Sequence, residues 1–187
     1  EIYTLSLHDA LPIFGAWIDW NLDEQDNDLL QFTRTMMWLR RDHPVLRRRR
    51  FFTGDAKHGG ESELGEIEWL TPAGESMTDQ DWTTWYARAM MVFLNGEAIA
   101  EPDERGQRVV DNSFLVLINA SEEDITFTLP GEGYSPAWKV ALDTAPAVDG
   151  DSDPVLAADE TVRVEARSML FLTDAPESDA TTERLQR

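Results

Sequence analysis

The sequence has no cysteine. That removes disulfides, thiolate-held zinc and a thiol nucleophile together. Histidine is nearly as scarce: His8, His43 and His58 lie scattered along 187 residues, and no His-based metal site is expected. Cations are short as well, with 16 Lys and Arg against 36 Asp and Glu, a formal charge of −20. A nucleic-acid interface needs clustered cations to neutralise phosphates, and an anionic membrane surface attracts the same groups, so neither is an expected partner. No apolar run approaches the ~20 residues that span a bilayer. Neither a Gly-rich phosphate loop nor a nucleophile elbow is present. The chain is too short for a complete (β/α)8 barrel, which takes about 250 residues, yet long enough to bury one real core. The cytoplasm is the simplest compartment for such a composition.

The two ends differ from the middle. Residues 1–13 read EIYTLSLHDALPI. No basic stretch precedes the apolar part and no small-residue cleavage site follows, which does not fit a signal peptide. The segment resembles translated sequencing-adapter sequence and is read as foreign to the protein, with an ordinary N-terminal arm as the alternative. Residues 174–187 (DAPESDATTERLQR) are polar, cannot repay the entropy of ordering, and are read as a disordered tail.

Residues 26–43 carry a clear helical period. Leu29, Phe32, Met36, Leu39 and His43 form one stripe, broadened by Leu30 and Met37. Asp26 or Asn27 can cap the start, Arg40 and Arg41 suit the negative end of the dipole, and Pro44 stops the helix. A stripe this wide must pack on something, because an isolated helix of this length is marginal in water. After Pro44 the period becomes two. Strands are predicted over residues 67–70, 88–94, 114–118, 125–129, 138–142, 162–164 and 169–172, with Asn95-Gly96 as a turn after the second. Residues 143–159 read as a long exposed acidic loop. Seven short strands separated by turn signals predict an antiparallel sandwich, so the class is mainly β with one preceding helix.

With 36 carboxylates, accidental acid pairs are common. Glycoside hydrolysis needs two carboxyls at a set separation across a bond, and no spacing here selects such a pair. Asp79 and Asp81 read as solvated loop acids. So do Asp149, Asp151 and Asp153, whose alternation lacks the remaining ligands and closing Glu of a calcium loop. The run Arg47, Arg48, Arg49 and Arg50 is read as structural, bridging to acids on a neighbouring surface through the fork geometry of guanidinium. Aromatic clusters are more informative, because planar rings can stack on sugars and a nearby acid can take a sugar hydroxyl. Trp is also the largest core filler. Trp82 and Trp85, in DWTTWY, are expected to be buried under a loop. For Trp17 and Trp20, which flank Asp19 in WIDW, composition alone does not choose between stacking and core filling.

Several ordered blocks carry a resemblance. They are WIDW at residues 17–20, LLQFT at 29–33, RRDHPV at 40–45, RRRRFFTG at 47–54, MTDQDW at 77–82, VFLNG at 92–96 and DNSF at 111–114. Together they resemble the end of a bacterial glycogen debranching enzyme of the isoamylase type, within the α-amylase superfamily of glycoside hydrolases. The similarity covers roughly residues 15–173. The resemblance implies that residues 14–47 are the last loop and last helix of a catalytic barrel, and that residues 48–173 are a C-terminal β-sandwich domain. It implies hydrolysis of α-1,6 branch linkages in glycogen or limit dextrin by a retaining two-carboxylate mechanism, without metal or organic cofactor. The family's catalytic Asp, Glu and Asp would all lie upstream of Trp17, so this chain supplies no catalytic residue and is expected to be inactive alone. Trp17, Asp19 and Trp20 would sit at the barrel's active face and are the candidates for contact with branched α-glucan. Two other readings stand beside this one: a free-standing carbohydrate-binding sandwich, and a purely structural or interaction domain.

Overall fold

The computed structural model describes residues 20–52, 64–84, 88–145 and 155–175. The expected foreign segment, Trp17, Asp19, Trp85, the Asp149 to Asp153 alternation and the expected tail beyond Ala175 lie outside them. The chain divides into two compact units, Glu1–Trp38 and Leu39–Arg187. Among the described residues no helix is long and apolar enough to cross a membrane.

Helix α1 spans Glu24–Asp42. Its cap is Asp23, three residues before the earlier of the two positions expected. The Asp26 amide donates to Asp23 Oδ1 at 2.9 Å and the Asp23 amide donates to Asp26 Oδ2 at 3.4 Å. This is a reciprocal box built from two aspartates, and it satisfies amides that the first turn leaves open. Asn27 instead turns its side-chain amide back to the Asp23 carbonyl at 2.8 Å. The helix stops where Pro44 predicts. His43 is extended (φ −109°, ψ 102°), and residues Pro44–Arg47 form one 3₁₀ turn. No residue of α1 is buried. Leu30 and Phe32 are half-buried, while Leu29, Met36, Met37 and Trp38 are exposed.

The second unit carries all eight described strands: β1 (Ile67–Leu70), β2 (Ala89–Leu94), β3 (Phe114–Asn119), β4 (Ile125–Thr128), β5 (Ala137–Asp143), β6 (Val155–Ala157), β7 (Thr161–Val164) and β8 (Ser168–Asp174). Seven are the strands that alternation predicts. The eighth, β6, lies inside the stretch read as a loop and pairs with β5. A short helix α2 (Asp79–Thr83) also stands where a loop was expected. Six strands form one sheet in the order β1-β2-β3-β8-β5-β6, and β4 and β7 form a second; every pairing is antiparallel.

The result is a lopsided sandwich. One face of the large sheet presents Met91, Phe93, Leu115, Leu117, Leu170 and Leu172 to Phe127, Leu129 and Val164, around the fully buried Trp138. Register explains the choice of face. Met91 pairs Leu117 and Leu117 pairs Leu170, so equivalent positions of successive strands line up on one side. The opposite face carries a smaller cluster in which Phe114 meets Val45 and Ile99, with Leu39, Leu46, Leu94 and Val109 around them. The two ends of the large sheet differ. Beside β1, Leu70 bridges Ser76 and the Met77 amide donates to the Trp69 carbonyl at 2.8 Å. At the far end lies β6, three residues long.

Candidate functional site

Of the three residues expected to touch glucan, Trp20 alone is described, and it is 73% exposed. Among the described residues no cluster of His, Asp and Glu that could hold a metal ion is found. What the structure does bring together are several of the sequence blocks that carry the resemblance, which converge on one seam of the second unit.

Asp111 is the centre of that seam. Its Oδ1 lies 2.9 Å from His43 Nδ1, and its Oδ2 accepts the Val45 amide at 3.0 Å. The carboxylate therefore holds the segment leaving α1 by a side chain and a main-chain group at once. His43 packs edge-on against Phe114, with ring centroids 4.8 Å apart. One helix end thus reaches two positions of the DNSF block. The NG block meets it from behind. The Asp111 amide donates to the Gly96 carbonyl at 3.1 Å, and the Gly96 amide donates to Ser113 Oγ at 3.1 Å. A Cβ at Gly96 would collide with the Asp111 and Asn112 carbonyl oxygens, so glycine is required there by close approach. Asn95-Gly96 does begin a turn, but the chain returns to β3 only through the long loop of residues 95–113, not as a two-residue hairpin.

The arginine run joins the same seam. The Arg48 side chain is only 7% exposed, with Nη1 3.5 Å from Glu66 Oε2, and Nη2 donates to the Asn95 carbonyl at 3.0 Å. Its guanidinium carbon stands 4.9 Å from the Phe52 ring centre. Burial pulls the Arg48 pKa below the ordinary arginine value, against the pull of Glu66 and Glu101. The Arg49 amide donates to Glu101 Oε1 at 3.0 Å. The structural reading of this run holds for Arg48, although its Nε is buried without a hydrogen-bond partner. A cleft of about 500 Å³ opens beside it, lined by the four arginines together with Glu101, Asp103 and Glu104. With Arg48 paired to Glu66, three acids face the other three arginines, so the cleft does not form a strong anion trap.

Two expectations fail at α2. Trp82 is not buried: it is 51% exposed and meets the 38% exposed Trp69 edge-to-face, with centroids 5.3 Å apart and planes at 74°. Asp81 is not in a loop. It occupies the third helical position, accepts from the Thr78 amide at 2.8 Å and the Thr78 hydroxyl at 2.7 Å, and these bonds hold its pKa below the ordinary value. The Thr-x-x-Asp spacing was the signal for both the cap and the helix. Asp111, Arg48 and Trp69 gained no site assignment from the sequence, because their partners lie far along the chain.

Comparison with known proteins agrees with this placement of blocks. Residues 66–173 match the family model described as isoamylase, C-terminal. A protein named glycogen operon protein GlgX homolog from Mycobacterium tuberculosis is 48% identical over 157 residues, which is 84% of this chain and 22% of that relative. A glycogen debranching enzyme from Dickeya chrysanthemi is 29% identical over 67% of this chain and 15% of its own length. An isoamylase from a Flavobacterium species is 25% identical over 83% of this chain and 20% of its own. A solved pullulanase from Bacillus acidopullulyticus aligns with a TM-score of 0.47 at 20% identity, covering 83% of this chain and 15% of that one. The chain spans about a fifth of the length of the curated relatives it matches. By the family match, which covers more than half of its residues, this chain belongs to the isoamylase C-terminal family.

Proposed function

We propose that these residues are the C-terminal part of a glycogen-debranching glycoside hydrolase, acting in the cytoplasm on α-1,6 branch linkages of glycogen or limit dextrin. In this reading residues 14–47 close the catalytic barrel and residues 48–173 form the sandwich behind it. The observation that carries the reading is the 48% identity to a GlgX homologue over 84% of this chain, which is 22% of that relative. The exposed stripe of Leu29, Met36 and Met37 supports it. An amphipathic helix with no buried residue is a helix awaiting a partner, and a barrel wall supplies one.

The chemistry would then belong to carboxylates outside these residues, and the 187-residue chain alone is inactive. The seam at Asp111 has a mechanical part in such an enzyme. It holds His43 and Val45, just past the end of α1, against the sandwich. The loop before that helix carries Trp17, Asp19 and Trp20, and in this reading it faces the branched glucan.

The test is a reducing-end assay on glycogen limit dextrin. The gene extended upstream should give debranching, and the 187-residue chain none. Debranching by the short chain, or none by a folded extended product, would overturn the reading. In the extended enzyme Trp20→Ala should raise KM or lower kcat/KM with little change in Tm. Unaltered kinetics would remove Trp20 from the cleft. A free-standing glucan-binding module is the competing reading, and it is sunk if the extended frame encodes a barrel.

A further inference from the structure

We propose that Trp69 and Trp82 form an accessory surface on the sandwich that binds the chain of an α-glucan. The ligand class rests on the family reading above; the existence of a surface rests on geometry alone. Three observations combine.

The first is shape. Two large indoles, one on edge strand β1 and one on α2, stand at 74° with centroids 5.3 Å apart, and each keeps more than a third of its surface in water. Perpendicular rings make a corner. A pyranose ring offers an apolar face of C–H bonds to one wall and its edge to the other. An α-linked chain curves, so a corner follows it better than a flat platform would.

The second is rigidity. Trp69 is fixed by the ladder to β2 and by the Met77 amide on its carbonyl. Trp82 is fixed by the capping box that Thr78 and Asp81 close at the start of α2. A surface already held in place loses little entropy when a ligand arrives.

The third is the surrounding chemistry. Asp79 lies three residues before Trp82, hence on the same side of α2, and it is exposed. A carboxylate beside a stacking ring can accept two sugar hydroxyls. Between residues 64 and 84 four acids reach solvent (Glu68, Glu75, Asp79 and Asp81) with no Lys or Arg among them, while Glu66 is buried against Arg48. Polyanions are therefore repelled, whereas a neutral polyol is not. Aromatic stacking next to hydrogen-bond acceptors, in an acidic field, suits an uncharged carbohydrate.

The experiment is native gel electrophoresis of the 187-residue chain in gels with and without glycogen, with maltoheptaose as soluble competitor. The strongly acidic protein migrates freely and the neutral polymer retards only what binds it. The parent chain should be retarded and maltoheptaose should release it. Trp82→Ala should weaken retardation at least fivefold and Asp79→Ala two- to threefold, with circular dichroism unchanged. Should Trp82→Ala fail to fold, Trp82→Phe and Asp79→Ala carry the test, each expected to weaken binding. No retardation of the folded parent chain overturns the proposal, as does equal retardation of the folded variants. The outcome is separable from that of the debranching assay. A chain that binds glycogen while its extended form does not debranch removes only the proposed reaction. An active extended enzyme whose C-terminal chain is not retarded removes only the accessory surface.

Discussion

Replacing Asp111 by alanine isolates the seam in one substitution. The side chain serves His43 Nδ1 at 2.9 Å, the Val45 amide at 3.0 Å and the Asn112 amide at 2.8 Å. Val45 is 2% exposed, so its amide has no water to turn to once the carboxylate is gone. A buried donor left unsatisfied costs about 1–3 kcal/mol, and the loss of the His43 contact adds about 1 kcal/mol. Together these give about 2–4 kcal/mol. For a domain of this size unfolding entropy gives about 4 °C per kcal/mol, hence a fall in Tm of roughly 8–16 °C. Asp111→Asn keeps one acceptor oxygen and should cost about half as much. Glu104→Ala, on the exposed loop, should shift Tm by less than about 2 °C. Differential scanning calorimetry reads the magnitudes. Hydrogen exchange reads the place: amides of residues 39–46 should exchange faster, while those of β3 and β8 keep their protection. A folded Asp111→Ala protein with Tm within about 2 °C of the parent would refute the reasoning, because the clamp would then contribute nothing.

Three further outcomes are expected. Gly96→Ala forces a Cβ against two backbone carbonyls that cannot swing aside, and should cost more than about 3 kcal/mol in urea unfolding, or prevent folding. Arg48→Met takes the guanidinium away from Glu66, which is 2% exposed; urea unfolding should show a loss of about 3–5 kcal/mol, and adding Glu66→Gln should recover more than half of it. Asp124 is held below the ordinary carboxylate value first by the Arg163 side chain and then by the Ala166 amide. A depressed folded-state pKa stabilises above the unfolded value and is lost as pH falls through the folded one. Asp124→Asn should therefore lower Tm at pH 7, and the gap to the parent should close as the pH falls below the ordinary carboxylate range; a gap that persists in acid would assign the effect to packing.

The strands were readable because alternation is local. Trp138, Val140 and Leu142 announce β5 within five residues, even though a bulge shifts the register between Val140 and Leu142. Helix α1 was readable from its stripe, but its start was not: Asp26 and Asn27 were the expected caps, and the backbone gives that place to Asp23. Strand β6 escaped because three residues are too few to show a period, and its neighbours are acidic. Helix α2 escaped for the same reason of length, although its capping spacing stood in the sequence. Exposure of Trp82 could not be read, because a tryptophan on a loop reads alike whether covered or bare. The seam lay deepest. His43 and Asp111 are separated by 68 positions, and nothing in the local pattern of either names the other. The resemblance had placed both blocks in order without saying that they touch.

The ends of the large sheet carry one more consequence. A six-stranded antiparallel sheet offers two open rows of amides and carbonyls, and each is a template on which another copy could add a strand. On the β1 side the Leu70–Ser76 bridge and the Met77 amide already occupy part of that row. On the other side β6 offers only three residues, too short a template for stable growth. The described edges of this sheet therefore do little to invite fibre-like stacking through its backbone. Association through the backbone of this sheet is then disfavoured, which leaves its side-chain surfaces, where sequence chooses the partner.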